Sequence, residues 1–148
     1  MTVKFDFKSA FACEDIRQET TGNVSFMGVV TDGEFMFSVF PARVRLGVVV
    51  VCDVEGTGPA TLYTRLRLGG EIKWAGETEV EVDAEGTGIL IPVAHIFAQF
   101  DEPGRLELLI GVDEDDDSSA QLVKFWDVLA AEAPHHSSES STPSDGAR

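Results

Sequence analysis

Apolar and polar residues alternate along most of this chain with a period of two. Val3, Phe5 and Phe7 alternate with charged residues, and the sequence PGRLELLIGV at 103–112 repeats the pattern after a Pro-Gly turn. Successive side chains of a strand point to opposite faces, so this alternation indicates strands with one buried face. Glycine-containing turns separate the segments. The pattern predicts an all-β protein, a single antiparallel β-sandwich of about eight strands, immunoglobulin-like or C2-like.

One segment, from Arg43 to Glu55, is apolar on both faces. Val48 and Val50 fall on one face, and Val49 and Val51 fall on the other. A strand with two apolar faces is typical of the centre of a sheet, or of a strand whose outer face is covered. The segment is therefore predicted to be a central strand.

A second segment departs from the alternation. Val93, Ile96, Phe97 and Phe100 follow Pro92 at the spacing i, i+3, i+4 and i+7. This spacing is typical of the apolar side of a helix, and proline is accepted at the first helical position. A short helical segment near 93–100, closing one end of the sandwich, is predicted.

The composition changes abruptly after Leu129. Residues 131–148 contain many serines and no large apolar side chain, so they have nothing to contribute to a core. The chain is 148 residues long and 43% hydrophobic, enough for one core. We expect a β-sandwich domain at 1–130 and a disordered, acidic, serine-rich tail at 131–148.

The chain is strongly acidic, with 26 acidic and 11 basic residues and a net charge of −15. Such a field repels nucleic acid and anionic lipid, so neither is an expected partner. The first residues lack the apolar stretch of a signal peptide, and no apolar run approaches the roughly 20 residues that cross a bilayer. A cytoplasmic location is predicted, where Cys13 and Cys52 act as small buried hydrophobes.

Three short motifs occur in a characteristic order. They are CEDIR at Cys13–Arg17, GNVSFMG at 22–28, and the Pro-Gly strand that ends in Val-Asp at 103–113. This order resembles an uncharacterised family of small bacterial β-sandwich proteins. The resemblance implies the fold and supplies no catalytic or binding residue. Within the first motif, Arg17 is expected to pair with a neighbouring carboxylate.

No group of residues in the sequence has the spacing of an active site. His95 is the only histidine before the tail, where His135 and His136 lie, so a catalytic triad or a two-histidine metal site lacks its residues. The glycine-rich stretches at 56–58 and 86–88 do not fit phosphate-binding loops. We therefore predict a protein that is not an enzyme and has no cofactor.

An acidic turn offers a weak metal site. Asp113, Asp115 and Asp117 supply carboxylate oxygens, the ligands that calcium prefers, although the EF-hand pattern is absent. Such a site needs carboxylates from a second loop, for which Asp53 and Glu55, or Asp32 and Glu34, are candidates if their ends of the sheet coincide. The alternative is an ordinary solvated turn. A calcium-binding or small-ligand-binding sandwich is thus the second functional hypothesis.

The preferred hypothesis is a protein-interaction surface. If residues 43–54 and 61–68 form a hairpin, Val49 and Val51 lie beside Tyr63, Arg65 and Arg67, an aromatic and arginine-rich combination favoured at interface centres. The alternative is that another part of the fold covers these valines. The sequence predicts a non-catalytic protein-binding or assembly module of the bacterial cytoplasm, whose partner is another protein or a second copy.

Overall fold

All regular structure in the described part of the chain is β. The computed structural model describes residues 3–112 and 120–131, so the acidic turn at 113–117 and the predicted tail beyond residue 131 lie outside it. The strands are β1 (Lys4–Gln18), β2 (Val24–Val29), β3 (Glu34–Phe37), β4 (Ala42–Glu55), β5 (Gly58–Leu68), β6 (Glu71–Val82), β7 (Gly86–Phe100), β8 (Gly104–Gly111) and β9 (Gln121–Ala130).

The nine described strands form two sheets that enclose one core. The four-stranded sheet has the order β2-β1-β4-β7, and the five-stranded sheet has the order β3-β9-β8-β5-β6. Neighbouring strands are antiparallel except β3 and β9, which run parallel. Side chains from both sheets, among them Val50, Leu66 and Trp126, belong to a single buried cluster. The predicted all-β, two-sheet architecture is confirmed in this coarse form, with nine described strands in place of about eight.

Strand β4 is the central strand that its two apolar faces predict. Val48 and Val50 are fully buried in the core between the sheets. Val49 points the other way and is also fully buried, with Phe11 and Pro92 as its cross-strand neighbours. The ring of Phe11 packs edge-on against Phe26, with centroids 5.5 Å apart. Cross-strand neighbours on the outer face therefore cover the middle of β4.

The predicted helix at 93–100 is wrong, because these residues are the second half of β7. Leu46 of β4 pairs with Ile96 of β7, and Val48 of β4 pairs with Val93 of β7. Strand β7 therefore has one extra residue between these two pairs. His95, in this bulge, has a φ of +60°. The extra residue brings both Val93 and Ile96 to the core face, which produces the i, i+3 spacing of a helix.

None of the described residues forms a helix that could span a membrane.

Strand β1 continues beyond the core and forms a hairpin with β2. Cys13 to Gln18 pair with Val24 to Val29, so the CEDIR motif lies at the base of this hairpin. Arg17 Nε donates to Asp15 Oδ2 at 2.9 Å, as predicted, and the neighbouring guanidinium holds the pKa of Asp15 below its ordinary value. The residues of the motif therefore have structural roles, in strand pairing with β2 and in the ion pair between Arg17 and Asp15.

Candidate protein-interaction surface

The five residues of the predicted patch do not lie together. Val49 and Val51 belong to β4 in the four-stranded sheet, whereas Tyr63, Arg65 and Arg67 belong to β5 in the five-stranded sheet. The short connection at residues 56–57 carries the chain from one sheet to the other instead of turning it into a hairpin. Val49 is fully buried and Val51 is half-buried. The predicted adjacency of the β4 valines and the β5 residues is therefore wrong. The β5 arginines lie beside other residues than those predicted.

The new neighbours of the β5 arginines come from β8 and β9. In one row across the sheet, Arg67 lies opposite Glu107, and Glu107 lies opposite Phe125. In the next row, Arg65 lies opposite Leu109, and Leu109 lies opposite Leu122. These rows point away from the core. We define the arginine–aromatic face as the outer surface of the five-stranded sheet that consists of Arg65, Arg67, Arg105, Leu109, Leu122 and Phe125, with Ile72 at its margin.

Two charged interactions hold side chains of this face in place. The guanidinium carbon of Arg105 lies 4.1 Å from the centroid of the Phe125 ring, a cation–π contact. Arg67 Nε donates to Glu107 Oε1 at 2.8 Å, and both side chains are partly buried. Such contacts restrict long side chains before any partner binds, which lowers the entropy that binding costs.

The arginine–aromatic face also exposes large apolar side chains. Phe125 is 44% exposed, Leu122 45% and Ile72 46%. The outer face of an antiparallel sheet normally reads as polar, because water covers it. Apolar and aromatic groups set among arginines match the composition of protein interface centres. The face is thus suited to bury its centre against another protein surface.

The thiols and acidic side chains of the described residues form no metal-binding cluster. No cluster of three or more histidine, cysteine or acidic side chains with metal-binding geometry occurs among them. Both thiols are buried, and loss of solvation raises the pKa of Cys13 and raises that of Cys52 to about 11. Asp53 pairs with Lys8 and accepts from the Gly88 amide at 3.1 Å. The calcium candidates Asp113, Asp115 and Asp117 lie outside the described residues.

Most of the arginine–aromatic face is not predicted by the sequence. Leu106, Leu108 and Ile110 mark the core face of β8, which assigns Arg105, Glu107 and Leu109 to the other face. The signal that was available is the presence of Leu109 on that otherwise charged face, and of Phe125 beside the buried Trp126. What the sequence did not supply is the pairing of β5 with β8, which brings the two groups together.

Comparison with known proteins yields no match for this chain, either among protein-family models or among curated protein sequences.

Proposed function

We propose that this protein is a non-catalytic protein-binding or assembly module that acts in the bacterial cytoplasm through its arginine–aromatic face. The observation that carries the proposal is the exposure of Phe125 and Leu122 on the outer face of a sheet, beside ordered arginines. An immunoglobulin-like or C2-like sandwich, which remains a prediction, is a suitable rigid scaffold for such a face. The partner is a second copy of the chain or another protein.

The charge distribution supports a partner that is a protein. The chain carries a net charge of −15, so three arginines on one face form a local exception to a repulsive field. They are interleaved with apolar side chains and with Glu107, as expected for a surface that matches another protein. A phosphate-binding surface would instead need a continuous run of basic groups.

The test compares two matched double variants. Leu122→Ser with Phe125→Ser removes the apolar centre of the arginine–aromatic face. Leu90→Ser with Phe97→Ser is the control on the four-stranded sheet, where Leu90 is 48% and Phe97 63% exposed and Arg45 lies 6.0 Å from the Phe97 centroid. Each variant loses one leucine and one aromatic ring that an arginine approaches.

Sedimentation velocity over a wide concentration range measures self-association, and capture from a bacterial lysate measures binding of another protein. We expect the Leu122→Ser, Phe125→Ser variant to lose association while its Tm stays near that of the wild type, and the control variant to keep association. Association that survives in the first variant, or a wild-type chain that stays monomeric and retains no protein, would show that this face is not an interface.

A further inference from the structure

We propose that the free edge of β6 binds an extended peptide in which apolar residues alternate with lysine or arginine. The peptide adds a strand to the five-stranded sheet and lays its apolar side chains into the groove between β6 and β7. This site is separate from the arginine–aromatic face, and the proposal goes beyond the function proposed above.

The first observation is that β6 is the long regular edge of the described sheets. Four described strands are at an edge, namely β2, β3, β6 and β7. Strand β7 contains Pro92 and a bulge at His95, β3 has four residues, and β2 has six. Proline, bulges, short length and charged side chains are devices by which edges avoid pairing with other strands, and β6 has only the charges along its regular part, which repel a like-charged strand and attract a basic one. Strand β6 has no proline, and beyond a bulge at Lys73 it keeps regular register from Trp74 to Val82.

The second observation fixes the direction of the backbone groups of β6. Pro59 on β5 lies opposite Glu81, and proline has no N–H, so this pair does not exchange the two hydrogen bonds of a bonded pair. Because bonded and non-bonded pairs alternate, the N–H and C=O groups of Glu77, Glu79 and Glu81 point away from β5. No described strand pairs with them there. They are the donors and acceptors that an added strand would use.

The third observation is the groove beside this edge. A groove of about 480 Å³ opens between β6 and β7, and its apolar lining includes Val54, Val80, Val82 and Ile91. Val82 and Ile91 belong to the hydrophobic core, so the groove leads directly onto it. Every second side chain of an added strand would enter this groove, where apolar side chains are favoured.

Charge complementarity specifies the other side chains of the peptide. Glu77, Glu79 and Glu81 are exposed on the outer face of β6 and make no ion pair with a described residue. The sequence from Trp74 to Gly104 contains no lysine or arginine. On an added strand, the outward side chains would lie beside these glutamates, and opposite charges on neighbouring strands are favourable.

The same charges argue against two other occupants. A second copy that paired through β6 would set glutamates against glutamates, which is unfavourable. Residues 131–148 of the chain contain three acidic residues, one arginine and no large apolar side chain, so their sequence fits neither the groove nor the glutamates. The partner is therefore a separate segment with basic and apolar residues in alternation.

The experiment uses the full chain and a synthetic peptide of alternating valine and lysine, long enough to span β6 and capped at both ends. Binding is measured by calorimetry, and hydrogen exchange reports the amides of Glu77, Glu79 and Glu81. Two control peptides have the same length. One alternates valine with glutamate, and the other has the valines and lysines in two separate blocks.

Substitutions in β6 separate backbone pairing from charge. Glu79→Pro removes a free-edge N–H at a position where the fold tolerates proline, because that N–H bonds no described strand. Glu79→Gln removes the charge and keeps the N–H. Glu77→Pro serves as a second edge variant if Glu79→Pro does not fold. The Leu122→Ser, Phe125→Ser variant tests whether the two surfaces are independent.

We expect the alternating valine-lysine peptide to bind and to slow exchange at the three glutamate amides. Glu79→Gln should weaken binding by up to about fivefold, and Glu79→Pro by about tenfold or more. Binding should persist in the Leu122→Ser, Phe125→Ser variant. The proposal is overturned if the alternating peptide fails to bind, if the block peptide binds equally well, or if the proline variants bind like the wild type.

Discussion

Thr64 is a buried hydroxyl whose replacement should stabilise the protein. It is 1% exposed on the core face of β5, between Leu62 and Leu66, and its Oγ1 has no hydrogen-bond partner among the described residues. A buried polar group without a partner costs about 1–3 kcal/mol, because it has lost its bonds to water. Thr64→Val replaces the hydroxyl by a methyl group of nearly the same size, so no cavity forms. We expect the free energy of unfolding to rise by about 1–2 kcal/mol.

Equilibrium unfolding in urea, followed by circular dichroism and tryptophan fluorescence, measures this change. The gain should appear as a higher midpoint with an unchanged slope, and as a Tm higher by about 3–8 °C for a domain of this size. Thr61→Val, on the opposite face of the same strand, is the matched control and should change stability by less than about 0.5 kcal/mol. A less stable Thr64→Val protein would contradict this prediction, because it would show that the hydroxyl is hydrogen-bonded, for example to a buried water.

Three further predictions concern the core, two glycines in strands and a thiol. Val50→Asp puts an unpaired charge at a fully buried position and should abolish cooperative unfolding, so a folded, soluble variant would mean that β4 faces the other way. Gly28 and Gly88 have φ of +67° and +66°, but only at Gly28 would a Cβ meet another side chain, Glu14 at 2.6 Å. Because the atoms met at Gly28 are the end of an exposed, flexible side chain that can move aside, Gly28→Ala and Gly88→Ala should each cost about 1–2 kcal/mol for the backbone. Clearly unequal losses in denaturant unfolding would contradict this. Burial raises the pKa of Cys52 from 9.0 to about 11, so the unfolded thiol ionises first and stability should fall as the pH rises through this range. The decline should be smaller in Cys52→Ala, and identical pH profiles would contradict the assignment.

The alternation of side chains predicted the strands and their core faces well. Val48 and Val50, which were predicted to share one face of β4, are both in the core cluster. Alternation depends only on neighbouring residues. A strand has the same pattern of buried and exposed side chains whether it pairs with the next strand of the chain or lies in the opposite sheet. Alternation therefore could not show that β4 and β5 lie in different sheets, and the predicted interface failed at that step.

The helix predicted at 93–100 failed for a related reason. A single extra residue in β7 shifts the phase of the alternation, and the resulting spacing from Val93 to Ile96 is common to helices and bulged strands. The bulge depends on the left-handed backbone of His95, which no neighbouring glycine signals. A local pattern could not separate the two structures, because the partner strand β4 sets the difference.

The pairing of β3 with β9 has a consequence for folding during synthesis, because the two strands are far apart in the sequence. Phe35 packs edge-on against Trp126, and β3 has no other strand neighbour in the described sheets. At about 5–20 residues per second, β9 is synthesised roughly 5–20 seconds after β3. During that interval β9 is not yet present to cover the aromatic side chains of β3. Strand β3 therefore cannot join the five-stranded sheet until β9 has been synthesised, and a chain that lacks β9 also lacks the core residues Trp126 and Val128.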